Sequence, residues 1–336
     1  MKSIQLFCFR TRVGIIAFKI HFESNDPLFI SSALYNLKKV SREKIHPYGS
    51  KESTTFLSMA KEVMHTLKSE QDFQFFFYAN PSTERANILA HIEVEPKDDY
   101  KFELFYLRRC YSDGFLYSEN KELDEREIYT PSQDIVWGIS PEAAVCLTCP
   151  ERGRADFIHG TFFNNFNTQY LFMYVLLLHQ KYVLYMFMVQ IGIGTYNSIE
   201  LLEGYRQELY EFETDFVFSC ITEVPQYQTL YERMMEAFSL KDMFEDVREP
   251  LSSLSEVRRA DAEKKQKERD DNVNRSLFLL SLLTFFSALV DSFDFADSFL
   301  SWFLGPSLVR IVQIVCIVSI VMLLAYVVKN LYFRKK

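Results

Sequence analysis

Five residues separated by 7, 3, 4 and 3 positions, Asn274, Ser281, Thr284, Ala288 and Asp291, form the part of the chain whose types and spacing best suit a chemical role. On a helix those steps return to one face, and Ser287 borders it. The other positions from Leu277 to Val290 are Leu, Phe and Val, and the whole run of fifteen residues from Ser276 to Val290 carries no charge. A small polar stripe that ends in a carboxylate has two uses. Ser, Thr and Ala let helix backbones approach closely in any bundle. The same stripe can line a watery path, with Asp291 at its end and Asp294 and Asp297 at an acidic outer mouth. Carboxylates near membrane depth face protein or water and mark ion pathways. Two spans cannot enclose a path by themselves, so this second use requires a symmetric homo-oligomer with one such helix per subunit.

The elements that would position the stripe follow from length and charge. A bilayer core about 30 Å thick needs roughly 20 helical residues, and fifteen cover only about 22 Å. The first span is therefore expected over about 276–296. Leu308–Val328 is charge-free except for Arg310 and reads as a second transmembrane helix. Lys264, Lys265, Lys267, Arg269 and Arg275 precede the first span, and Lys329, Arg334, Lys335 and Lys336 follow the second. The connection from Asp291 to Ser307 holds three aspartates and no Lys or Arg. The positive-inside rule then places both termini in the cytoplasm and the connecting loop outside, as expected of a multi-pass protein of the cell's inner (plasma) membrane. Upstream, Leu251–Arg275 lacks proline and glycine, and from Arg258 to Arg275 it has seven Lys/Arg and five Asp/Glu. It reads as a solvated helix laced with i,i+4 pairs, or as a stalk running straight into the membrane.

The rest of the chain reads as water-soluble. The protein has 336 residues, a formal net charge of −8 and 32 Phe, and its mean hydropathy is −0.07. An acidic chain is poorly suited to duplex nucleic acid, which is held by Lys and Arg on phosphates. Residues 1–165 are expected to form an α/β (α+β) domain. Strand-like stretches are Ile4–Phe9, Val13–Phe22, Phe73–Tyr78, Ile88–Val94 and Phe102–Leu107, and Ser53–Leu67 has helical spacing. Tyr111–Pro141 reads as surface loop around short elements. Residues 166–275 are expected to be helical and to end in the charged stalk, with 276–336 as the membrane domain. Tyr170–Ile193 is apolar enough to resemble a span, but His179, Gln180 and Lys181 at its centre favour a helix buried in a soluble domain. The N-terminus shows no signal peptide, because Arg10 and Arg12 interrupt its first apolar run.

Little else points to catalysis or metal. Six scattered cysteines do not form a disulfide framework. Cys146 and Cys149 make a lone CxxC with His159 the nearest histidine, which leaves either two buried thiols or an incomplete metal site. No P-loop, GxSxG or HExxH occurs. The chain is not expected to be an enzyme.

The succession of a cytosolic α/β domain, long helices, a charged stalk, two C-terminal spans and a basic tail resembles the CorA-type divalent cation channels and transporters. The stretch Thr222–Leu251 (TEVPQYQTLYERMMEAFSLKDMFEDVREPL) and the stretch SLLTFFSALVDSFDF look like divergent bacterial members, and the likeness covers roughly residues 165–336. It implies a funnel-shaped homopentamer in the lipid bilayer, with the stalk and first span around the path and the second span facing lipid. It also implies a divalent cation such as Mg as permeant ion, and regulation by ions between acidic subunit faces. The family's Gly-Met-Asn signature is missing; Asp291-Ser292-Phe293-Asp294 stands about where it belongs, so magnesium selectivity does not carry over. Members without the signature include membrane effectors of type III CRISPR antiviral defence. Resemblance to these implies activation by a nucleotide second messenger, such as a cyclic oligoadenylate or an adenylated S-adenosylmethionine. In that case Arg108, Arg109, Arg152, Arg154 and Arg206 are the candidates for holding phosphate or adenylate, against ordinary salt bridges for each. The competing readings are a membrane-tethered binding or signalling protein whose two helices merely anchor it, a magnesium transporter of altered selectivity and, more weakly supported, a membrane-bound nucleotide-cleaving enzyme.

Overall fold

The computed structural model describes residues 3–46, 52–67, 85–112, 114–192, 199–218 and 220–303, together with 310, 311, 314, 315, 318 and 322. The protein is α/β, with mixed sheets and long helices. It divides into two compact units, Met1–Glu256 and Val257–Lys336.

The first unit opens with a hairpin. Strands β1 (Ser3–Cys8) and β2 (Gly14–Lys19) pair antiparallel in a sheet of their own. Helices α1 (Pro27–Leu37) and α2 (Phe56–Thr66) follow, each started by a side-chain cap: Asp26 accepts from Leu28 N and Thr55 from Ser58 N. A second sheet has the order β3-β6-β5-β4, built from β3 (Ile88–Glu93), β4 (Ile128–Ser132), β5 (Ile135–Ile139) and β6 (Ala143–Thr148). β3 runs parallel to β6, and the other two pairings are antiparallel.

Both faces of that sheet are covered. On one side α3 (Lys101–Arg109) sets Leu104 and Leu107 against Val136, Ala143, Val145 and Leu147. It packs closely, because a Cβ at Gly138 would stand 2.8 Å from Leu104 Cδ2. On the other side Trp137, Ile139, Ala144 and Cys146 join the larger core. The period-two alternation of β5 and β6 thus sends apolar residues to two cores, which is why the strands read as continuous apolar runs. α4 (Lys121–Glu127) lies between α3 and β4 in the chain. The short α5 (Ala155–Phe157) and α6 (Phe163–Asn165) alternate with π-helical turns and lead into α7 (Leu171–Gly192). α8 (Ile199–Phe216), α9 (Pro225–Ala237) and α10 (Leu240–Phe303) complete the order.

Three expectations change. Phe102–Leu107 belongs to helix α3 rather than a strand, since Leu104 and Leu107 are buried at helical spacing. Tyr111–Pro141, expected to be mostly surface loop, contains α4, β4 and the fully buried β5. Residues 291–303, expected to begin a connecting loop, continue α10 to Phe303. Phe73–Tyr78 lies outside the described residues. The buried-helix reading of Tyr170–Ile193 holds over α7, where Tyr174, Leu177, Val183, Leu184 and Phe187 are all core residues.

Candidate functional site

α10 is one helix of 64 residues, and Pro250 is accommodated within it. Its first turns are anchored in the large core by Leu240, Met243, Val247 and Leu251. From Arg259 to Arg275 its side chains are exposed and mostly charged or polar. Leu277, Phe278, Leu279, Leu280, Leu283 and Phe285 are then 40–64% exposed, an apolar surface that belongs to no core of the described residues. Among these residues run Asn274, Ser281, Thr284, Ser287 and Ala288, all exposed. At 100° per residue, Asn274, Ser281, Thr284, Ala288 and Asp291 fall within an arc of about 100°. Thr284 donates its hydroxyl to the carbonyls of Leu280 (3.1 Å) and Ser281 (2.9 Å), and Ser276 donates to that of Asn272 (3.1 Å). Such bonds satisfy hydroxyls without an outside partner and let the stripe sit in an apolar setting. Asp291, Asp294 and Asp297 continue the helix, but their side chains lie outside those described. Each further step of three residues turns the face by about 60°, so Asp294 and Asp297 leave the stripe.

The arginines do not gather into one site. Arg108 is 1% exposed and pairs with Asp124 (2.7 Å) and, through Nε, with Glu127 (2.9 Å). Arg109 donates Nη2 to both oxygens of Glu127, at 2.7 and 2.9 Å. These pairs tie α3 to α4 and neutralise the buried acids; removing one partner would leave a buried charge uncompensated. Arg154 lies apart, 3.3 Å from Asp134 and stacked on Phe157. Arg206 donates to Ser255 Oγ at 3.3 Å. The Arg152 side chain is outside those described. Cys146 and Cys149 are buried free thiols, and burial pushes Cys146 well above its ordinary range. His159 stands 3.2 Å from Glu93 instead of beside them. Among the described residues no group of three or more His, Cys, Asp or Glu is arranged to hold a metal ion.

A cavity that no local motif announced lies where the β1–β2 turn meets α7 and α8. The turn is fastened at three points. Phe9 stacks on the His179 ring with centroids 3.8 Å apart, Thr11 Oγ1 lies 2.6 Å from His179 Nε2, and Arg10 pairs with Asp215. His179 is fully buried, its Nδ1 has no partner among the described residues, and burial pushes it down to about 4, so it is neutral at neutral pH. Beside this latch the cavity has a volume of about 590 Å³, with Arg12, Gln190, Tyr205 and Glu208 among its lining residues. The sequence signal was slight: Arg10 and Arg12 break an apolar run, and Thr11 meets His179 from 168 residues away.

Comparison of the chain with protein-family models, with curated proteins and with solved structures finds no match.

Proposed function

We propose that the chain assembles as a symmetric oligomer in a membrane, with α10 lining a path for cations and the first unit regulating it, in the manner of the CorA-type channels it resembles. The supporting observation is α10 itself. One helix starts in the core of the first unit, passes through a charged solvated stretch, and continues into an apolar stretch where Leu277, Leu279, Leu280, Leu283 and Phe285 are more than half exposed. Apolar surface of that extent is costly in water and needs lipid or another chain. A bundle of copies would place Leu and Phe toward lipid and the stripe of Ser281, Thr284 and Asp291 toward the shared axis. Gating would be a population shift, with a ligand or ion binding one state of the first unit better. A nucleotide messenger at Arg108 and Arg109 would have to displace Asp124 and Glu127 first, which weighs against that pair as its site.

Ion flux into vesicles carrying the purified full-length protein tests the reading. Asp291→Asn is expected to weaken cation preference, and Ser281→Leu with Thr284→Leu to abolish flux. Flux and selectivity that ignore all three substitutions would leave the two-helix anchor as the better account.

A further inference from the structure

We propose that the cavity between the β1–β2 turn, α7 and α8 binds a small zwitterion with an apolar body, an apolar amino acid or a short apolar peptide. Its volume of about 590 Å³ lies within the range of roughly 300–1,000 Å³ typical of small-molecule sites. Phe187 and Phe212 give it an apolar wall and both are 2% exposed.

The polar groups on the wall are mismatched in a way that describes a guest. Arg10 is paired with Asp215, but Arg12, also on the wall, has no ion pair among the described residues. Glu208 on α8 is likewise unpaired there. Gln190 Oε1 is a buried acceptor with no donor among the described residues. A guest carboxylate fits the Arg12 guanidinium, which takes such groups through two parallel N–H bonds. A guest ammonium fits Glu208, and an ammonium or peptide N–H supplies the donor that Gln190 lacks. A simple anion would leave Glu208 unmatched and a simple cation would leave Arg12 unmatched. A phosphorylated guest would bring several negative charges against Glu208 and Glu211, both on the wall.

Gly204 makes the same point independently. It lies inside α8, where glycine is a poor helix former. No close packing requires it, since a Cβ there meets nothing within 4 Å. What the missing side chain preserves is open space in the cavity it lines. The same helix also reaches α10. Arg206, between Tyr205 and Glu208 on the wall, donates to Ser255 Oγ at 3.3 Å, and Ser255 is fully buried. A guest that fixes α8 thereby bears on the base of α10. Binding stands apart from the membrane reading; its consequence for α10 rests on that reading.

The test is calorimetric titration of the full-length protein in detergent with L-phenylalanine and with the dipeptide Leu-Phe. N-acetylphenylalanine and phenylalanine amide serve as single-charge controls, and AMP as a polyanion. Saturable binding is expected for at least one zwitterion, about tenfold weaker or more for its single-charge relative. Arg12→Gln should erase the preference for a free carboxylate and Glu208→Gln that for a free ammonium. Gly204→Leu should abolish binding with the melting temperature unchanged or raised; if that variant does not fold, the two surface variants still decide. No heat with either zwitterion at millimolar concentration, equal binding of the single-charge controls, or AMP binding that Arg12→Gln removes would each overturn the proposal. Because no ion flux is measured, failure here is distinguishable from failure of the channel reading.

Discussion

Two helical stretches of this chain are strongly apolar, one long and one short, and their surroundings differ. Ala155–Ile191, which takes in α7 as far as Ile191, is the one helical run among the described residues long and apolar enough to cross a membrane, yet 61% of its apolar segment is buried inside the protein. The sheet, α8, α9 and the start of α10 all contribute to the core around it. Even its polar centre is accommodated: His179 lies under Phe9, and the Gln180 side-chain amide donates to the Phe216 carbonyl. The stretch 277–285 of α10 has the same kind of composition and no such cover, with Leu279 61% and Leu283 64% exposed. Apolar length thus says that a helix must be covered, and only the tertiary partners say by what.

Charge insertion separates the two most sharply. Leu177 in α7 is fully buried. Leu177→Asp leaves an uncompensated charge in the core and is expected to remove about 3–5 kcal/mol of stability, enough to abolish a cooperative urea transition in a marginal fold. Leu279→Asp should leave that transition in place. On the membrane reading its cost appears on insertion instead, below the about 3 kcal/mol of a carboxylate at mid-bilayer because Leu279 lies near the start of the span, and is read as loss of protein from carbonate-washed membranes. If Leu279→Asp destabilises the first unit as Leu177→Asp does, the α10 stretch is covered by protein and the contrast collapses.

The comparison also explains what could be read from sequence. α2 was legible because it has one covered face, with Phe56, Met59 and Ala60 buried at helical spacing, and β1 and β3 because their runs are rich in aromatic and β-branched residues. β5 was not, because Val136 feeds one core while Trp137 and Ile139 feed the other, and alternation carries no signal when both faces are buried. Phe102–Leu107 misled for a related reason: six residues with Phe, Leu and Tyr alternating fit a strand as well as a helix. The outcome turned on Gly138, which lets α3 settle against β5. The stripe on α10 was legible because it lies on a single helix. The cavity was not, since Arg12, Gln190 and Glu208 come from three separate elements and meet only after the hairpin docks.

Acidity provides the gentlest way to loosen one region and spare the other. His179 is held neutral by burial, its ionisation pushed from 6.5 down to about 4, whereas in the unfolded chain it returns to 6.5. Between those values the unfolded state binds the proton and the folded state does not. Stability is therefore full above pH 6.5 and falls as pH drops toward 4, by about 2 kcal/mol at pH 5 from this residue. His91, also pushed down to about 4 by burial despite the opposing pull of Glu93, adds a slope of the same sign. Urea midpoints at pH 7 and pH 5 should fall in the wild type, and fall less in His179→Phe, whose ring keeps the stack on Phe9 without the proton. An unchanged slope in that variant would mean that the hairpin does not close over the ring in solution. The apolar stretch of α10 carries no titratable side chain from Ser276 to Val290, so on the proposed membrane reading the same acidification should leave its partitioning into lipid where it was.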